Sequence, residues 1–278
     1  MSGMLYLVPT PIGNLGDISE RCRQTLESAD FVAAEDTRVS LKLLNHLGIK
    51  KSLVSYYEHN KGFKGNIIVD RILAGETCAL VSDAGSPAIS DPGEDLVRLC
   101  AENGITVCAI PGPCAAITAL SISGLPTGRF CFEGFLSTSK KSRREHLESL
   151  ASETRTMIFY EAPHKLVNTL EDLCRTFGPD RRIAFCRELT KLHEEVVRTT
   201  LGEAIVRYTE NAPKGEFVLV VDGAAPVQKE SATADDAAAR VAELIAGGMS
   251  RKDAIKQTVK ELGLPKNVVY DAALSLDE

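Results

Sequence analysis

Hydrophobic residues along this chain come in short dense runs, separated by longer stretches in which apolar and polar positions alternate with a helical period. Residues 5–8, 31–34, 53–56, 78–81 and 106–110 are apolar runs bounded by turn residues and predict buried strands. Between them, residues 19–28, 38–47 (closed by Gly48), 66–74 and 94–102 (closed by Gly104) predict amphipathic helices. Strand and helix in turn imply a mostly parallel sheet covered on both faces. A helix over 115–123 leads into 124–128, where two glycines and a proline predict a linker. A second alternation follows, with strands at 130–135, 156–160, 183–186, 195–200 and 217–221 and helices at 143–151, 164–177 and 202–208. The polar stretch 224–233, with Pro226, predicts a second linker, and beyond it the pattern is wholly helical, at 235–246, 250–262 and 266–276. The expected organisation is thus an α/β domain over 1–124, another over 125–224, and a small all-α module over 234–278.

Composition narrows the picture. The 278 residues suffice for two domains of ordinary size, each with its own core. No apolar run approaches the roughly 20 residues needed to cross a bilayer. The first nine residues have neither a basic region nor a small-residue cleavage pattern, so no membrane partner and a cytoplasmic location are expected. The eight cysteines never form a Cys-x-x-Cys pair and lie mostly inside predicted strands and helices, which reads as small buried thiols in a reducing compartment, with no metal site. A net charge of −6 excludes a global positive field, so any contact with RNA must come from local patches.

Three loops rich in glycine and proline follow predicted strands, at 9–14, 82–93 and 111–114, on the edge where open α/β sheets place their ligands. None matches the phosphate-cradling glycine patterns of nucleoside triphosphatases or dinucleotide enzymes. They serve either as tight packing turns or as rigid walls presenting main-chain groups to a small polar ligand. The cluster Glu35-Asp36-Thr37-Arg38 follows the second strand. Its two carboxylates and guanidinium suit positioning a hydroxyl, accepting its proton or holding a phosphate; alternatively Asp36 or Thr37 is a helix cap. His164, after the strand at 156–160, is a helix-start residue or a catalyst. Basic residues gather at Lys140, Lys141, Arg143 and Arg144, at Arg181, Arg182 and Arg187, and at Arg251, Lys252, Lys256, Lys260 and Lys266, each a solvated face or a phosphate contact.

The runs Leu5 through Leu15, Glu35-Asp36-Thr37-Arg38, Ser82-Asp83-Ala84-Gly85-Ser86-Pro87 with Asp91-Pro92-Gly93, Pro111-Gly112-Pro113, and Phe159-Tyr160-Glu161-Ala162-Pro163-His164 resemble the ribosomal RNA small subunit methyltransferase I family, of the tetrapyrrole methylase superfamily. The resemblance covers essentially the whole chain. It implies a class III methyltransferase architecture of two α/β domains with S-adenosylmethionine in the cleft between them, a homodimer, and a helix-turn-helix-like tail. It also implies 2′-O-methylation of a cytidine in 16S ribosomal RNA, as naked RNA or in the small subunit. Carried over by position, the cofactor residues are Pro11, Gly85, Ser86, Pro87, Ile89, Cys114, Ala115, Ala162 and Gly215. Ser86 departs from the superfamily, many of whose members have an aspartate there. The reaction needs a group to draw off the ribose proton, so Glu35 or Asp36 is the expected base, with Arg38 on the adjacent phosphate. RNA is expected on Lys140, Lys141, Arg143 and Arg144 and on Arg251, Lys252 and Lys256. Two rivals share the residues: a methyltransferase acting on a ring carbon of a tetrapyrrole or corrin, and a non-catalytic RNA-binding protein that senses S-adenosylmethionine. The basic tail and the Glu-Asp-Thr-Arg cluster disfavour the first, and transfer of a labelled methyl group separates the second.

Overall fold

The computed structural model describes residues 3–225 and 232–274. They fall into two compact units divided after Ala224. The expected linker residue Pro226 and the last two residues of the expected helix 266–276 lie outside the described residues.

The first unit opens with five strands, β1 (Met4–Leu7), β2 (Phe31–Ala34), β3 (Ser52–Ser55), β4 (Cys78–Val81) and β5 (Thr106–Ala109), in the order β3-β2-β4-β1-β5 with every pairing parallel. β2 and β4 are buried along their whole length, as expected of strands covered on both faces. One face packs Leu5, Phe31, Leu80 and Leu96 under α3 (Lys61–Leu73) and α4 (Gly93–Glu102). The other packs Val8, Val32, Val81 and Leu26 under α1 (Glu20–Ser28) and α2 (Thr37–His46). α3 begins five residues before its expected start. Gly62 and Gly65 gave that turn the look of a loop, but at Gly65 a Cβ would stand 2.8 Å from Leu99, so the glycine is what lets α3 approach α4.

The second sheet holds β6 (Phe130–Phe135), β7 (Thr156–Glu161), β8 (Arg182–Arg187), β9 (Glu195–Thr200) and β10 (Phe217–Val221), in the order β6-β7-β10-β8-β9. Only β6 and β7 pair parallel, and the rest is antiparallel. α6 (Lys140–Ser149), α7 (Leu166–Phe177) and α8 (Leu201–Glu210) accompany this sheet, and its core joins Leu147, Leu170, Leu173, Phe185, Leu201 and Leu219. The opposite face is covered by α5 (Ala115–Ser123), whose Ala116, Ala119 and Leu120 lie on Ile158, Ala184, Val218 and Val220. Arg198 of β9 donates to the carbonyls of Ile122 and Ser123 at the end of α5, where a cation complements the helix dipole. The second unit is three helices, α9 (Ala234–Ala246), α10 (Arg251–Leu262) and α11 (Lys266–Leu274), around Val241, Ala254, Ile255, Val269 and Ala273.

Candidate active site

The three glycine- and proline-rich loops meet in the first unit and are tied to one another. Thr10 and Gly85 exchange backbone hydrogen bonds of 3.0 Å, N–H to carbonyl in both directions. The Ser86 hydroxyl donates to the Pro113 carbonyl at 3.0 Å. An ionised aspartate at that position could not donate, so the serine supplies a loop-to-loop bond that the usual residue would not. Within the 82–93 loop, Asp91 accepts from the backbone N–H of Ala88 (3.0 Å) and of Gly93 (2.7 Å). These bonds hold Ala88 and Ser90 at φ of 67° and 61°, a left-handed backbone that costs a non-glycine residue about 1–3 kcal/mol and marks an overdetermined loop.

The tied loops form one side of a cavity of about 610 Å³ whose other side comes from the second sheet. Ile12, Glu35, Asp83, Gly85, Ser86, Ile89, Cys114 and Ala115 line it from the first half, and Phe135, Tyr160, Glu161, Ala162, Leu189, Glu216 and Val218 from the second. Of the residues expected at a cofactor, Gly85, Ser86, Ile89, Cys114, Ala115 and Ala162 are therefore on its wall. Pro11, Pro87 and Gly215 are not, but each adjoins a residue that is. Gly215 has φ of 88°, and a Cβ there would run into the Glu188 side chain at 2.6 Å. Sequence reasoning missed Phe135, and it gave Tyr160, Glu161 and Glu216, which flank the expected Ala162 and Gly215, no role of their own. A bulge in β6 between Phe132 and Gly134 breaks the alternation there and leaves Phe135 60 % exposed, in edge contact with Tyr160 at 5.4 Å. Tyr160 in turn accepts the Ala116 N–H at 3.2 Å, and burial pushes its phenol up to about 12.

The cluster after β2 divides in two. Glu35 is half-buried on the cavity wall, where desolvation, with Asp83, Asp91 and Asp36 nearby, raises its carboxyl above the usual range. Asp36 instead caps α2: its Oδ1 accepts the Arg38 N–H at 2.8 Å, and both its oxygens bind the Arg38 guanidinium at 3.0 and 2.6 Å. Those bonds hold its carboxyl down at about 2, a poor base, and Asp36 does not line the cavity. Of the two expected bases only Glu35 lines the cavity. Arg38 is 87 % exposed and lies outside the wall, with Asp36 as its partner.

The expected RNA patches also change. Lys140, Lys141 and Arg144 are exposed on α6, but the Arg143 side chain is only 11 % exposed. It bonds Asp172 at 2.7 Å and donates to the Thr169 hydroxyl, which donates to Glu161 on the cavity wall. Arg143 is thus a brace for the site and no surface contact. Arg181 and Arg182 stand at the start of β8 on Asp222, and Arg187 at its far end, so these three form no single patch. Arg251 donates to the Ala273 carbonyl of α11, whereas Lys252 and Lys256 share an exposed face of α10. His164 is exposed in a 3-10 turn before α7, off the cavity wall, in keeping with a helix-start residue. Among the described residues no group of three or more His, Cys, Asp or Glu is arranged to hold a metal, and no helix is long and apolar enough to cross a membrane.

A parallel sheet and a mixed sheet with a loop-walled cavity between them define a class: the family model of Tetrapyrrole (Corrin/Porphyrin) Methylases matches residues 4–205, and one for the RsmI C-terminal HTH domain matches 231–277. The fold is shared with the crystal structure of uroporphyrin-III C-methyl transferase from Thermus thermophilus complexed with S-adenyl homocysteine, at a TM-score of 0.55 and 19% identity over 78% of this chain and 97% of that one. Among curated proteins, ribosomal RNA small subunit methyltransferase I of Synechocystis sp. is 48% identical over 99% of each chain. That of Halalkalibacterium halodurans is 49% identical over 97% of this chain and 94% of its own. The chain belongs to the ribosomal RNA small subunit methyltransferase I family of the tetrapyrrole methylases.

Proposed function

We propose that the chain transfers a methyl group from S-adenosylmethionine to the ribose 2′-hydroxyl of a cytidine in 16S ribosomal RNA. The observation that carries the cofactor assignment is the charge of the cavity wall. Five carboxyl groups, on Glu35, Asp83, Asp91, Glu161 and Glu216, line it, and among the described residues no lysine, arginine or histidine does. Such a wall repels triphosphates and dinucleotides and favours a ligand carrying an ammonium and a sulfonium. Ile12, Ile89, Leu189 and Val218 give the apolar surface that an adenine ring requires, and the volume of about 610 Å³ leaves room for a nucleotide beside it.

When bound, the cofactor supplies an already activated methyl group on its sulfonium. The residues of the chain then have three tasks. The main-chain ties from Thr10 to Gly85 and from Ser86 to Pro113 fix the wall, so that binding costs little reordering and the attacking oxygen is held in line. Glu35, with its raised carboxyl, accepts the proton of the 2′-hydroxyl as the oxygen attacks. Phe135 and the apolar residues around it exclude water from the mouth. The substrate class rests on the activity for which the curated relatives are named. We further take the lobes 1–124 and 125–224 to close on the cofactor, the protein to be a homodimer, and its location to be the cytoplasm.

The experiment is transfer of a labelled methyl group to purified small ribosomal subunits, followed by nuclease digestion. Label in a 2′-O-methylcytidine supports the reading. Label on a base, or on a tetrapyrrole precursor and not on RNA, overturns it.

A further inference from the structure

An RNA strand that sends a ribose into this cavity must bring its phosphates past a wall of carboxylates, so the phosphates need to be held elsewhere. We propose that the second cavity of the first unit holds the backbone phosphate flanking the target nucleotide. This inference rests on the methyltransferase reading above. The cavity measures about 460 Å³ and is lined by Arg187 at the end of β8, Glu195 at the start of β9, Arg207 and Tyr208 of α8, the loop from Asn211 to Lys214, and Phe217. Phe217 lines both cavities, and the loop after α8 divides them, with Lys214 facing the second and Glu216 the first. The two cavities therefore adjoin at Phe217, the first residue of β10.

Their charges are opposite. Three cations meet one carboxylate in the second cavity: Glu195 accepts from Arg187 at 3.1 Å and from Arg207 at 3.0 Å, and the Lys214 ammonium has no ion pair among the described residues. Arg187 donates one further bond, to the Lys214 carbonyl at 3.3 Å. Each guanidinium has five N–H donors in a planar fork suited to phosphate oxygens, so both retain donors beyond those bonds. Glu195 and the two guanidiniums suffice to brace β8, β9 and α8. Lys214 adds a third positive charge on the same wall, a surplus that suits a phosphate.

The test uses the full-length chain, labelled cofactor and small ribosomal subunits, with three variants. Lys214→Gln and Arg207→Gln should each raise KM for RNA about three- to tenfold while affecting kcat far less, and reduce the slope of log affinity against log salt by about 0.7–0.9 per lost contact. Cofactor affinity, read by calorimetry, should not move. Glu195→Gln should do the reverse and lower KM, because it leaves both guanidiniums free for phosphate. The phosphate site is overturned if Lys214→Gln and Arg207→Gln keep the wild-type KM and salt slope, or if Glu195→Gln weakens RNA binding as an ionic brace requires. A wild-type chain that methylates no RNA overturns the methyltransferase reading, and the phosphate site with it. An active wild type with unaffected variants overturns the phosphate site alone.

Discussion

Glu35 and Asp36 are adjacent in the chain, yet their surroundings make opposite demands on their protons. Burial and three neighbouring carboxylates push the first up, and the Arg38 guanidinium with its backbone N–H pulls the second down to about 2. A base must be ionised to act, so kcat should fall as pH drops through the raised Glu35 value, giving an acidic limb above the 4.5 of an ordinary glutamate. Glu35→Gln should remove that limb and lower kcat by about 10²–10⁴. The same shift has a sign for stability. A carboxyl whose folded value is raised stabilises the fold only below its unfolded value, and its charge costs stability near neutrality. Glu35→Gln should therefore melt higher than wild type while turning over more slowly, and scanning calorimetry beside the assay checks both. Asp36→Asn keeps a good helix cap and should keep most of its turnover. The sequence made the pair visible through its position after β2, but not the division of labour, because that depends on Asp83 and Asp91 being folded back from a loop some fifty residues on.

At the scale of elements, periodicity located strands and helices well wherever packing is ordinary, and failed where a residue has a second task. The start of α3 was hidden because Gly65 is there for close approach to Leu99. The aim of Phe135 was hidden by the bulge in β6. α6 carries the clearest lesson, since a basic run looks like a surface patch and Arg143 within it is a buried brace that reaches Glu161 through Thr169. Arg143→Ala should destabilise the chain by about 1–3 kcal/mol, by leaving polar partners unsatisfied, and a lower urea midpoint reports it. Neutralising Lys140, Lys141 and Arg144 should leave stability nearly unchanged. In the second unit, Lys252 and Lys256 carry the RNA expectation on α10. Their double change to Gln should weaken RNA binding and flatten its salt dependence, while an unchanged salt slope would assign the tail to packing. Arg251 is left out of that experiment, because its bond to Ala273 makes any substitution also a packing change.

The whole molecule resolves a conflict of charge. A protein of net charge −6 is expected to act on a polyanion, and the cavity at its candidate site is walled by carboxylates. Both facts fit if that cavity is built for the cationic cofactor and the phosphates are gripped by separate basic groups. The alternation of strands and helices was enough to infer the α/β architecture and the edge where its loops gather. The opposing charges of the two cavities were not legible, since they arise from residues as far apart as Glu35 and Glu216, or Arg187 and Lys214. The most direct test is titration calorimetry of the folded chain with S-adenosylmethionine and, separately, with S-adenosylhomocysteine. Saturable binding of both is expected, with the cationic sulfonium form losing more affinity than the neutral thioether form when Asp83 and Glu35 are together changed to their amides. Failure of either nucleoside to bind, or an equal response of the two to removal of the carboxylates, would contradict the cofactor assignment.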